Sequence, residues 1–308
     1  MANKWAYAVF LVLGLAILAF IIAGFMGIIL GLSSPERMGT GNVMLLSLSG
    51  PITTQPSQGI FGTEPPMSSF VIDNLKRANE DPSVDAVVLS IDSPGGGAVA
   101  SYEVVEALKD VDKPTVAIIR SVGASGAYWV ASAADRIYAN PFSMVGSIGV
   151  TSSYLEVSGL LERYNITYER LVSGDFKDAG SPVRELTDEE RGVLQDQINR
   201  VHEIFMDDVI ENRGLSGSDL EAISDGRVFL GADSIDYGLV DELGNMNDVE
   251  EYLEDLLNVS IRFREAQRRT SSFPIFSSVS NDFAFNVGRG FASWIIEDEK
   301  PEEMISLR

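Results

Sequence analysis

The sequence predicts an α/β domain carried behind one membrane-spanning helix, and three observations predict it. Short apolar, β-branched runs alternate with helix-length segments between residues 43 and 257. Residues 5–32 contain no charged side chain, more than the roughly 20 residues a helix needs to cross a bilayer core. Cysteine is absent and His202 is the one histidine of the 308 residues. A disulfide scaffold, a thiolate centre and a multi-histidine metal site are thereby excluded, and the fold must rest on an apolar core.

The elements follow in order. The apolar stretch exceeds the 7–15 residues of a secretory signal core and has no convincing cleavage site, so residues 1–32 are expected to be a cytoplasmic start and retained anchor. Lys4 favours that orientation, which makes the protein single-pass in the cell membrane, bound to lipid through this helix, with the bulk of the chain extracytoplasmic. Residues 33–42 form a Ser/Pro/Gly linker, residues 43–265 the folded domain, and residues 266–308 a tail, flexible or docking through 283–296. Within the domain, 43–48 reads as a buried strand, 51–66 as an exposed loop, 70–79 as a helix and 86–91 as a strand.

Asp92-Ser-Pro-Gly-Gly-Gly97 comes next and runs into a helix over 99–108. Three glycines after a strand let backbone N–H groups face a ligand closely. No G-x-x-x-x-G-K-[ST] continuation follows, which disfavours a nucleotide loop; an oxyanion hole, a strand-accepting turn and a plain turn remain open. A strand over 114–119 then leads into Arg120-Ser-Val-Gly-Ala-Ser-Gly-Ala-Tyr-Trp129, with a helix over 126–134. Ser125 stands at this strand-to-helix junction, beside the orphan donors of a first helical turn. That suits an acyl-transfer nucleophile, although Gly123-Ala-Ser-Gly-Ala127 is not a full G-x-S-x-G elbow, and a tight packing turn has the same composition.

Beyond it come a strand over 136–139, a turn at 146–149 into another strand, a helix over 154–164 and an alternating strand over 166–172. Lys177 occupies the loop 173–182, one of six lysines among 23 basic residues. Arginine keeps its proton near neutrality, whereas a desolvated lysine can lose it. Lys177 is therefore a candidate base; flanked by Asp175 and Asp178, it also reads as an ordinary ion pair. Thr187 and Glu190 form a capping box for a long helix that ends at Gly214, and His202 reads as a surface or satisfied residue of that helix rather than a catalytic one. Helices over 219–223, 232–237 and 249–257 and a strand over 227–230 complete the pattern. Asn165 and Asn258 stand in glycosylation sequons.

These segments, taken together and in sequence order, resemble the signal peptide peptidase A family, the S49 serine–lysine peptidases, in their short single-domain form. The likeness is carried by Asp92–Gly97, Ser121–Tyr128, Gly146-Ser-Ile-Gly-Val150, Gly174-Asp-Phe-Lys-Asp178 with Ser181-Pro182, Asp225-Gly-Arg-Val228 and Gly238-Leu-Val-Asp-Glu-Leu-Gly244. Asp92 stands where asparagine is expected, and Ala127 where glycine is frequent. The resemblance implies a Clp-protease/crotonase-like fold, a repeated ββα spiral, with residues 43–265 as the peptidase domain. Ser125 would be the nucleophile, Lys177 the general base, and Gly96 and Gly126 the donors of oxyanion N–H groups. It also implies a homo-oligomeric ring whose neighbouring subunits can share a site, peptide substrates such as remnant signal peptides, and neither cofactor nor metal. An extended peptide would pair beside a strand edge at Gly95, Gly97 and Ala98. Free lysine has a pKa of about 10.4, so a neutral base near pH 7–8 needs a fall of about three pH units, within reach of burial. Lys177 is accordingly expected to be buried in the assembled protein, with Asp175 and Asp178 turned away. Two rivals are a crotonase-type acyl-thioester enzyme, whose carboxylate and basic nucleotide site are not evident and which leaves Ser125 and Lys177 unexplained, and an inactive membrane-anchored scaffold, against which the presence of both dyad residues argues.

The formal net charge is −22, a surface that repels nucleic acid. Acid-rich and lysine-poor composition suits a host rich in salt, where a Debye length of about 3 Å at 1 M screens the repulsion. On transfer from molar salt to dilute buffer the protein is expected to unfold, as followed by circular dichroism; full stability in dilute buffer would contradict a halophilic origin.

Overall fold

Strands that are apolar on both faces must be covered on both, which a parallel sheet with crossover helices provides. The computed structural model describes residues 14, 15, 18, 41–59, 62–216 and 219–266 and contains such a sheet. The chain falls into two units, Met1–Thr40 and Gly41–Arg308, and the sheet belongs to the second. It opens with β1 (Val43–Ser49), a small hairpin of β2 (Ser57–Gly59) and β3 (Gly62–Glu64), and α1 (Met67–Glu80). Next come β4 (Ala86–Ser93), α2 (Ala98–Lys109), β5 (Thr115–Ala124), α3 (Gly126–Ser132), β6 (Arg136–Ala139) and β7 (Met144–Gly146). After α4 (Ser158–Arg163), α5 (Asp188–Arg213) and α6 (Asp219–Ile223) stand β8 (Val228–Leu230) and α7 (Gly231–Ser234). β9 (Glu242–Leu243), α8 (Met246–Leu257) and β10 (Phe263–Glu265) close the described fold.

The strand order is β10-β1-β4-β5-β6-β9, with every neighbouring pair parallel. β5 changes partner along its length: Val116–Ile119 pair with β6, and Val122–Ala124 with β7. β8 then runs antiparallel to β7. One face of the sheet, with Val43, Ala86, Val88, Val116, Ile118 and Tyr138, is sealed by Val249 and Leu253 of α8. Alternate residues of the same strands, such as Met44, Leu46, Leu89, Ala117 and Ile119, are equally buried, and α1 and α3 pack on β1, β4 and β5.

Several expectations need correcting. Residues 166–172 alternate in polarity but form no strand, and Ile166, Leu171 and Val172 are exposed; alternation makes a strand only where a sheet edge is there to pair with it. The helix expected over 154–164 is confined to Ser158–Arg163. The strand near 146–149 precedes its turn instead of following it. The loop 51–66 holds the β2–β3 hairpin and the fully buried Ile52. The Thr187–Glu190 capping box is present, and Gly214 ends α5 in the left-handed conformation. Among the described residues no helix is long and apolar enough to cross a membrane; the anchor expected at 5–32 lies outside them except for Gly14, Leu15 and Leu18, and the tail lies outside them from residue 267.

Helix α3 is held by polar bonds at two buried side chains. The Tyr128 hydroxyl donates to the Leu239 carbonyl at 2.9 Å, and burial raises its pKa well above the usual phenol range. Trp129 stacks on Phe205 of α5 with centroids 4.6 Å apart and donates Nε1–H to Asp208 at 2.9 Å. Tyr128→Phe leaves a buried carbonyl without its donor and is expected to lower stability by about 1–3 kcal/mol, seen as a lower urea midpoint at unchanged slope.

Candidate active site

The site is made where β4 and β5 end. Their register matches Ile91 with Ile119 and Ser93 with Gly123, so Asp92 alone faces Arg120, Ser121 and Val122. The Asp92 carboxylate fills this irregularity, accepting from the Val122 N–H at 3.2 Å and the Ser121 hydroxyl at 3.4 Å. A carboxylate only accepts, which suits two donors and accounts for aspartate at this position. Beyond the irregularity, β5 delivers Ser125 half-buried at the start of α3 with φ 53 and ψ −130. Such a backbone in a non-glycine residue costs about 1–3 kcal/mol. It is held by the Ser125 N–H bond to the Gly146 carbonyl at 2.8 Å and by the Trp129 N–H bond to the Ser125 carbonyl at 3.0 Å.

The turn after β4 is bound as firmly. The Ser93 hydroxyl donates to the Gly50 carbonyl at 2.6 Å and accepts from the Gly95 N–H at 3.1 Å. Ile52 donates its N–H to the Gly95 carbonyl at 2.9 Å and accepts from the Gly97 N–H at 3.0 Å. This parallel bridge uses the amides flanking Gly96, so the Gly96 N–H is not spent on it. Gly95 has φ +97, and a Cβ there would lie 2.7 Å from the Gly126 nitrogen and 2.9 Å from the Ser125 Cβ. A Cβ on Gly126 would meet the Ser101 Oγ at 2.2 Å and the Gly96 nitrogen at 3.4 Å. The structure thus brings Ser125, Gly95, Gly96 and Gly126 together. Of the other residues of the expected strand edge, Gly97 gives its N–H to Ile52, and Ala98 begins α2.

Lys177 is exposed, on a loop of consecutive turns. Its N–H donates to the Gly174 carbonyl at 3.2 Å. Among the described residues no hydrogen bond or ion pair joins its side chain to Ser125. Of the flanking carboxylates, Asp178 is turned to Arg184 and Arg170, and these guanidiniums, Arg184 first, hold it far below the usual carboxylate range. Arg184 also pairs with Glu190, and with the Thr187 N–H it lowers that carboxyl to about 2.

Two features escaped the sequence reading. Val122 and Ala124 of β5, Met144 of β7 and Val228 and Leu230 of β8 lie on one sheet face by register. Met144, Val228 and Leu230 are 44–49% exposed, so an uncovered apolar surface adjoins Ser125. Short strands apolar at consecutive positions, as in 144–146 and 228–230, were its signal. The second is the segment 151–187, nearly all at the surface, where Leu155 (84% exposed) and Leu171 (94% exposed) have no cover among the described residues. Among the described residues no cluster of His, Asp or Glu side chains is placed to hold a metal ion.

The sequence model of Peptidase family S49 matches residues 107–260, half of the chain. A Methanocaldococcus jannaschii protein named as a protease is 38% identical over 204 residues, covering 66% of each chain. An Enterococcus faecium protein named as a signal peptide peptidase, SppA, is 31% identical over 222 residues, 71% of this chain and 64% of that one. Protease 4 of Haemophilus influenzae is 31% identical over 193 residues, 60% of this chain and 30% of its own length. The aligned region thus spans at most about two thirds of any of these three relatives. With Ser125 and its glycine turns inside or beside the matched region, the chain belongs to peptidase family S49.

Proposed function

We propose that the protein is a membrane-anchored serine endopeptidase in which Ser125 is the nucleophile and Lys177 the general base. The observation that carries the reading is the close approach of the Gly95–Gly96 turn to Ser125 and Gly126, which gathers two glycine amides at the serine's turn. A peptide carbonyl held by these N–H groups is attacked by the Ser125 Oγ, whose proton passes to a neutral Lys177 Nζ. The N–H groups stabilise the oxyanion, each worth about 10²–10³ in rate. Lys177 then protonates the leaving amine, and water, deprotonated by the same amine, releases the acyl group. The parallel sheet and the family support a Clp-protease/crotonase-like architecture for the domain.

Lys177 reaches Ser125 across a subunit boundary in this reading. The exposed apolar side chains of 151–187 and the bare face beside Ser125 are two different surfaces of one chain, and such a heterologous pair joins successive subunits, into a ring where the rotation closes. Packing of this segment against a neighbour desolvates the loop that carries Lys177. The substrate lies extended along Gly95–Gly97, and the relative named as a signal peptide peptidase supports apolar segments such as remnant signal peptides as substrates. The anchor at 5–32 holds the ring at the extracytoplasmic side of the cell membrane.

Ser125→Ala and Lys177→Ala are each expected to lower peptide cleavage by more than about a thousandfold while leaving circular dichroism unchanged. Co-expressed one to one, the two variants should regain about a quarter of the parental rate, because one neighbour pair in four then holds both residues. Parental cleavage by Lys177→Ala would end the dyad reading; no recovery in the mixture would place both residues in one subunit.

A further inference from the structure

The amine assigned as base has a carboxylate as its next neighbour in the chain. An unpaired Asp178 would favour the ammonium form of Lys177 and oppose its use as a base. Both Asp178 oxygens are instead engaged by guanidiniums. Oδ1 accepts from Arg170 Nε at 3.0 Å, Arg170 Nη2 at 2.7 Å and Arg184 Nη2 at 2.9 Å. Oδ2 accepts from Arg170 Nε and Arg184 Nε, each at 2.9 Å. The same two arginines also grip the loop backbone: Arg170 donates to the Asp175 carbonyl at 2.9 Å and Arg184 to the Asp178 carbonyl at 3.2 Å. Lys177 lies between these two pinned carbonyls.

The grip is anchored outside the loop. Arg184 Nη1 donates to Glu190 Oε2 at 2.8 Å, and that oxygen also accepts the Thr187 N–H at 2.9 Å, so the helix cap of α5 and the loop form one bonded unit. The Asp178 and Arg184 side chains are 15% and 17% exposed, shielded enough for the charges to be felt. The charged groups on the loop and on the segments bonded to it are Asp175 and Asp178, Arg170 before them, Arg184 and Glu185 after them and Glu190 on α5. Asp175 and Glu185 are exposed and screened by solvent.

We propose that Arg170 and Arg184 act as positioning residues that sequester Asp178, so that the loop presents Lys177 without a competing carboxylate. The inference rests on Lys177 being the base. It is tested by kcat/KM for an apolar peptide between about pH 6 and 11, for the parent, Arg170→Met, Arg170→Lys, Asp178→Asn and Lys177→Ala. Arg170→Met should move the acid limb up by about half to one pH unit. That makes kcat/KM about three- to tenfold lower at neutral pH, rejoining the parent in alkali, with partial recovery in Arg170→Lys. Asp178→Asn should leave the limb at or below that of the parent. An unmoved limb in Arg170→Met, or an equal loss at every pH, would overturn the clamp. If Lys177→Ala cleaves like the parent, the base assignment itself falls; if it is inactive while Arg170→Met keeps the parental limb, the clamp alone falls.

Discussion

Two backbone turns meet in this protein with no side chain between them. The turn after β4 approaches the turn after β5 so closely that a single carbon on Gly95 would press on the Gly126 nitrogen and the Ser125 Cβ. Gly96 is pressed from its other side by Ile52, whose carbonyl lies 2.0 Å from where a Cβ would stand. The arrangement therefore demands glycine at three positions and a left-handed serine at a fourth. Each glycine gives up more chain entropy than alanine would, about 0.5–1 kcal/mol. The extensive apolar burial of β1, β4 and β5 on both faces offsets these costs and keeps the turns in register.

That register explains why the candidate site is gathered here. β4 and β5 are parallel neighbours, so both carboxyl ends emerge at one edge of the sheet, where open α/β folds place their ligands. The three residues of β5 that face Asp92 lift Ser125 clear of the sheet before α3 begins. β7 then stands where β6 would otherwise continue, and its Gly146 carbonyl fixes the serine amide. A hydroxyl, two amides and an apolar surface meet without a long loop to position them.

Much of this was legible in the chain itself. The glycine triplet after an apolar strand, the small residues around Ser125 and the capping box at Thr187 each carry a local physical signal, and each is found where that signal placed it. Ser158–Arg163 and the irregular 166–172 are different, because alternation and amphipathicity describe a face awaiting a partner without saying which molecule supplies it. Ile52 beside Gly96 and β10 beside β1 are pairings across dozens or hundreds of residues, beyond the reach of any local pattern. The role of Asp92 was hidden for a related reason: a one-residue mismatch from expectation means little until its two donors are seen.

The pairing of β1 with β10 sets a timetable for biosynthesis. Val43 and its neighbours are among the first residues of the domain to leave the ribosome, yet Phe263–Glu265 complete their hydrogen bonding only some 220 residues later. At about 5–20 residues per second, the nascent chain waits for many seconds with β1 as a naked sheet border. A transcript broken before codon 263 would leave that border open for good, a template on which other chains can add.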